Sequence, residues 1–231
     1  MAGSDFVLFG AAHLTILASV PALGGLLGWW GRRQEGAPRL LRLAGGWTLL
    51  INEVVWQAFK YHRYHIPFPE GLPLQLCDLA LWATIAACFT LRPLVFEVAY
   101  YTGLGGSAQA VLTPDLWEPF PSYPTVYFFL AHGGLMVVVL MLIWSGQARP
   151  RPGSLWRALA AANAWAAAVG LFNARFGTNY MYLCHKPAAA SLLDWFGPWP
   201  WYLAAGELAA VVVFTLLYLP FRQGRRPNAV H

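Results

Sequence analysis

The sequence predicts an all-α membrane protein, a bundle of seven transmembrane helices with its N-terminus outside and its C-terminus in the cytoplasm. Three observations carry that expectation. Hydrophobic residues make up 58% of the 231-residue chain and charged residues only 11%, whereas a soluble domain carries about 25% charge. Seven apolar runs near the ~20 residues that span a bilayer follow one another through short connections, which leaves residues 1–231 as a single domain. Basic residues also alternate in position. Eleven of the fifteen Lys and Arg residues fall after runs one, three and five or in the tail, against Lys60, Arg63, Arg175 and Lys186 on the opposite side. That asymmetry is the positive-inside pattern. It accounts for the net charge of +5 without nucleic-acid binding.

The first run, residues 6–30, follows Asp5 rather than a basic residue and exceeds the apolar core of a signal peptide, so it reads as a retained helix. Arg32, Arg33, Arg39 and Arg42 crowd the connection after it. The second run, 43–60, carries Asn52, Glu53, Gln57 and Lys60. Positions 53, 57 and 60 share one helical face, and a polar stripe in a membrane must face the bundle interior or water. Glu53 is expected to be protonated or bonded to Asn52 or Asn163. The third run, 74–91, opens with Gln75, Cys77 and Asp78, and Arg92-Pro93 turns the chain into the fourth, 94–112. There Glu97 is expected to pair with Arg92. Gly103, Gly105, Gly106 and Ser107 offer a close-packing surface. The fifth run, 125–144, contains His132; the sixth, 155–172, contains Asn163 and leads to Asn173; the seventh, 199–221, contains Glu207. Between the last two lies the most densely polar and aromatic stretch, residues 177–203, which reads as an outer cap.

A rise of 1.5 Å per residue puts Cys77 about 5 Å below the outer boundary, His13 and His132 about 10 Å, and Glu207 about 12 Å. Ionisable groups at such depth mark functional positions. Cys77 and His132 are complementary, because an imidazole can take the proton of a thiol and leave the nucleophilic thiolate. Both lie where an acyl carbonyl of a lipid would sit. Asp78 points about 100° away from Cys77 around the helix. Glu207, Asn173 and Asn179 are therefore the expected groups to orient the imidazole or supply an oxyanion donor. His13 reads either as a further site contact or as a strut between helices, and Gln75 stands beside Cys77. Tyr180 and Lys186 belong to the rim, where Lys186 and Arg175 either meet an anionic headgroup or snorkel to the interface. Cys88, eleven residues below Cys77, reads as an inert filler. Two other readings stand beside the Cys/His pair. Cys77 and Cys184 could form a disulfide, or His13, Cys77, His132 and Glu207 could hold a divalent metal; the Cys/His reading itself requires neither metal nor cofactor.

Five segments carry a family resemblance: FVLFGAAHL at the start, LPLQLCDLA before run three, LTPDLWEPFPSYP before run five, FFLAHGG within it, and NARFGTNYMYLCHKPAAASLLDWFGPWPWYL near the end. Through them the chain resembles the YwaF-type bacterial integral membrane proteins, which are similar to eukaryotic transmembrane protein 164. The resemblance implies a helical bundle. Through the eukaryotic relative it implies cysteine-dependent acyl transfer on phospholipids, with Cys77 of LPLQLC as nucleophile and His132 of FFLAHGG as base. With an Arg-over-Lys bias that fits a GC-rich bacterial genome, it places the protein in a bacterial cell membrane. The expectation is a membrane-embedded lipid acyltransferase or acyl hydrolase acting on a membrane lipid or other acyl substrate. The competing expectation is a non-enzymatic transporter or lipid-binding scaffold, suggested by the Glu53–Gln57–Lys60 stripe.

Overall fold

The computed structural model describes residues 6–116, 118–187 and 192–222. Asp5, residues 188–191 of the 177–203 stretch, and Arg225 and Arg226 of the tail lie outside the described residues. Within them are seven α-helices, no strand and three short 3₁₀ turns. The helices are α1 Ala11–Arg33, α2 Ala37–Tyr64, α3 Leu76–Thr90, α4 Pro93–Leu112, α5 Tyr123–Trp144, α6 Ser154–Phe176 and α7 Trp201–Tyr218.

Local chemistry sets the boundaries. Pro occupies the first turn of α2, α4 and α5, where its missing N–H costs nothing and its fixed φ suits a helix start. Gly177 ends α6 in the left-handed conformation, and its N–H bonds the Asn173 carbonyl at 2.8 Å. At the start of α3 the Asp78 carboxylate reaches back to the Gln75 N–H at 2.7 Å, a negative charge at a helix N-terminus. That contact fixes the backbone around Cys77.

Helices α2, α3, α4 and α5 form a ring in which each packs on the next, with α3 and α5 also touching across it. α1 runs along α5, while α6 and α7 lean on α4. Small residues permit the closest seams. A Cβ at Gly28 would lie 2.5 Å from Trp144 Cβ, and one at Gly46 would lie 2.7 Å from Cys88 Cβ. The core between these seams includes Leu49, Phe96, Tyr101, Leu135, Val139 and Leu142, each nearly fully buried.

Helices α1, α5, α6 and α7 are long and apolar enough to cross a membrane, and α3 is apolar but shorter, at 15 residues. The chain is therefore a multi-pass helical membrane protein. α2 and α4 are less apolar for a packing reason. α2 turns Glu53 and Trp56 inward, and α4 is buried over most of its length, including Glu97, Thr102 and Ser107. A helix sheltered by neighbours needs less lipid-compatible surface. α2 also extends beyond the apolar run at both ends, from its Pro-bearing first turn to His65 in the left-handed conformation.

Glu97 does not pair with Arg92. Its buried carboxylate takes five hydrogen bonds: from the Arg151 N–H (3.2 Å), Nε (2.8 Å) and Nη2 (3.2 Å), and from Arg157 Nε (2.9 Å) and Nη2 (2.8 Å). These charge-assisted bonds tie α4 to α6 and to the connection before it. Arg92 is the N-cap residue just before α4.

Candidate functional site

The α6–α7 connection is built on two asparagines. Asn173, buried at the end of α6, donates to the Tyr180 carbonyl (3.0 Å) and accepts from the Tyr180 N–H (3.0 Å) and the Thr178 hydroxyl (2.8 Å). Asn179 accepts from the Cys184 and His185 N–H groups (3.0 and 3.3 Å) and donates to the His185 carbonyl (2.8 Å) and ring Nδ1 (3.0 Å). Neither amide bonds His132, whose Nδ1 goes to Phe128 instead, and each is occupied within its own loop. Both hold the loop.

Tyr180 then straps that loop to the α2–α3 connection. Its hydroxyl donates to the Pro69 carbonyl at 2.7 Å and accepts from the Leu72 N–H at 3.0 Å. Gln75 adds a third tie, its Oε1 accepting from the Met181 N–H at 2.8 Å. Burial pushes the Tyr180 phenol above its ordinary range. Lys186 lies 3.8 Å from Asp194 and 5.7 Å above the Tyr202 ring. The strapped loops frame an open cleft of about 310 Å³ lined by Glu70, Gln75, Gly177, Thr178, Asn179 and Tyr180.

Cys77 lies in the first turn of α3, two residues from Gln75, as a free and partly exposed thiol. It sits on nearly the same helical face as Cys88, which packs against α2 at Gly46. Cys77 makes no side-chain hydrogen bond to any described residue, so none joins it to His132. Cys184 and Cys88 are also free, which removes the disulfide reading.

The two intramembrane histidines differ. At His13, Nδ1 accepts the Phe9 N–H (2.9 Å), so the proton is on Nε2, which donates to the Val111 carbonyl (2.8 Å). Both nitrogens are spent and the ring is fully buried; it is a strut between α1 and α4. At His132, Nδ1 donates to the Phe128 carbonyl one turn back (2.9 Å). Nε2 is left with a free lone pair among the described residues. The ring lies against Phe128, on the side of α5 next to Leu135 and Val139, which face Gly103 of α4. It is about 140° around the helix from Tyr127, the residue that meets α2. Glu207, exposed on α7, accepts from Asn163 Nδ2 at 2.8 Å and so is committed to the α6–α7 seam. Among the described residues no three His, Cys, Asp or Glu side chains gather as a metal site would require.

Between α2 and α5 lies a buried polar cluster. Glu53, fully buried on α2, accepts from the Tyr127 hydroxyl (2.7 Å) and from Gln57 Nε2 (2.6 Å). Asn52 and Asn163 are not its partners. The indole of Trp56 stacks on Tyr127 at 4.2 Å. Sequence reasoning found the α2 stripe but missed its partners. The spacing of Tyr123 and Tyr127, i and i+4 on one face of α5, was the available signal.

A family model described as the TMEM164 family matches residues 8–218. An uncharacterised protein of Treponema pallidum (strain Nichols) is 29% identical over 151 residues, which is 65% of this chain and 62% of that protein. The chain thus matches less than two thirds of that relative's length. No solved structure matches. The family match runs from the end of the segment before α1 to the last residue of α7, so every helix described above falls within it, and the chain belongs to the TMEM164 family.

Proposed function

We propose that the protein is a membrane-embedded lipid acyltransferase or acyl hydrolase in which Cys77 is the nucleophile and His132 the base. The observation that carries this reading is the Cys77 thiol: free, partly exposed, and two residues from the Gln75 that lines the outer cleft. Cys77 attacks the ester carbonyl, its proton passes to His132 Nε2, and the leaving alkoxide takes that proton back as the acyl thioester forms. Water or a second lipid hydroxyl then accepts the acyl group. Because no hydrogen bond joins thiol and imidazole, the proton crosses through a bridging water or a substrate oxygen, as catalytic contacts often tighten only with substrate bound. Seven crossings, with the N-terminus outside a bacterial cell membrane, put the cleft at the outer face, in keeping with the alternation of basic residues.

A lipid-like electrophilic probe applied to the protein in nanodiscs tests the assignment. Cys77→Ser abolishes labelling. His132→Ala slows it by about 10²–10⁴-fold at an unchanged melting temperature. Equal labelling of wild type and Cys77→Ser removes the nucleophile.

A second reading, a transporter or lipid-binding scaffold, draws on the buried stripe of Glu53, Gln57 and Lys60. One to two turns along α2 from Glu53, Leu49 is 1% exposed and Gly46 closes on Cys88, apolar packing that supports the acyl-transfer reading over this one. Solute flux in proteoliposomes that is lost with Glu53→Gln would favour the transporter reading over the acyl-transfer one.

A further inference from the structure

α7 is the most exposed of the spanning helices. Its buried positions are only Tyr202 and Phe214, while Leu208, Val212 and Leu216 are each more than half exposed. Such a surface suits lipid, with one exception. Glu207 is the only Asp, Glu, Lys or Arg in α7, and it is exposed beside Asn163, itself exposed near the middle of α6. Polar groups in spanning helices face protein or water, because hydrocarbon satisfies none of their hydrogen bonds. A pair at this position calls for a cover.

The hydrogen bonds of the pair say what covers it. Both N–H groups of the Asn163 amide are used, one on the Leu159 carbonyl at 3.0 Å and one on Glu207 Oε1 at 2.8 Å. The amide cannot be turned over, since its oxygen would then face two acceptors. Two groups remain without a partner among the described residues. Asn163 Oδ1 only accepts, whereas Glu207 Oε2 donates when the carboxyl is in its acid form. A donor and an acceptor side by side match a copy of themselves related by a two-fold axis. Each Glu207 hydroxyl then meets the partner's Asn163 oxygen. A lipid tail offers neither group. The surface also permits the approach: Ala160 and Ala167 lie one turn to either side of Asn163 on the same face and are exposed. Small residues there let two helices close to the distance that a hydrogen bond needs.

We propose that the α6–α7 face is the interface of a homodimer, closed at its centre by two reciprocal hydrogen bonds from Glu207 to the partner's Asn163. The polar site is incomplete in a single copy. It shares no residue with the cleft near Cys77 and stands whether or not the protein transfers acyl groups.

Single-molecule subunit counting of the full chain in liposomes, over a range of protein-to-lipid ratios, tests the interface. Wild type is dimeric at high ratio and dissociates on dilution. Glu207→Leu removes both reciprocal bonds and weakens dimerisation about tenfold. Glu207→Gln keeps the dimer, because its amide donates to the same oxygen. Ala167→Trp leaves the polar pair intact but obstructs the approach of the helices, and it weakens the dimer at least as much as Glu207→Leu. Leu26→Trp, on the exposed surface of α1, has no effect. A monomer at every ratio overturns the proposal. So does a dimer that survives both Glu207→Leu and Ala167→Trp, or one that Glu207→Gln weakens as far as Glu207→Leu does. Should the Glu207 variants fail to fold, Ala167→Trp against Leu26→Trp decides the matter: equal dimerisation of the two overturns the interface.

Discussion

Single side chains carry most of the order in the α6–α7 connection. Asn173 satisfies three polar groups at once, and Asn173→Ala leaves buried partners unmatched. A loss of about 1–3 kcal/mol follows, to be read as a lower thermal midpoint, with Thr178→Ala costing less because it removes one bond of the three. Tyr180 gives the loop a pH response. Its hydroxyl must keep its proton to donate to Pro69, and burial raises its pKa in the folded state. The stabilisation is therefore complete below the ordinary tyrosine range and is lost as pH rises through the raised folded value. Alkaline melting curves check this: Tyr180→Phe is less stable at neutral pH and shows a shallower alkaline decline. At this scale the sequence identified polar residues well and their duties poorly. Asn173, Asn179, His13 and Glu207 were all legible as groups that a membrane would not tolerate without cause. In each the cause is a hydrogen bond, to a neighbouring helix for His13 and Glu207 and within the α6–α7 loop for the two asparagines, which no residue type reveals by itself.

Among elements, the α1–α5 contact is the most exacting. Gly28 abuts Trp144 and Gly24 abuts Leu140, so two helix backbones approach with almost nothing between them, as small residues permit in lipid. Gly28→Leu forces them apart at a cost of about 1–3 kcal/mol. A cysteine pair placed across the seam then cross-links more slowly than in the parent. The helices themselves were largely readable, since apolar runs separated by Pro, Gly and Arg mark them plainly. Their ends were less so. α2 continues through polar residues on both flanks, where hydropathy falls but helical hydrogen bonding does not.

For the whole molecule, membrane residence and helical class follow from composition, because so little charge cannot cover a water-facing surface. Contacts between distant helices do not follow. The Glu53–Tyr127 bond spans 74 residues and the Glu97–Arg151 pair 54, and neither separation leaves a local trace. That is why the stripe on α2 was visible while the tyrosines completing it were not. The same holds for Cys77 and His132. Their types and depths suggested a pair, yet no hydrogen bond between them is formed: His132 Nδ1 bonds Phe128 one turn back, while Cys77 is a free cysteine at the start of α3.

The Glu97 clamp imposes an order on biosynthesis. α4 is synthesised with a carboxylate whose two arginine partners are translated more than fifty residues later. Until α6 arrives, the nascent bundle carries a bare acid where the finished one has a neutralised knot. A chain stopped at residue 148 is accordingly short-lived in cells, and Glu97→Gln lengthens its half-life by removing the stranded charge. In the full chain the same substitution shortens half-life, because Arg151 and Arg157 lose their common partner. Pulse-chase measurement on the four chains reads both signs. One carboxylate thus acts as a liability during synthesis and as a latch once α6 is in place.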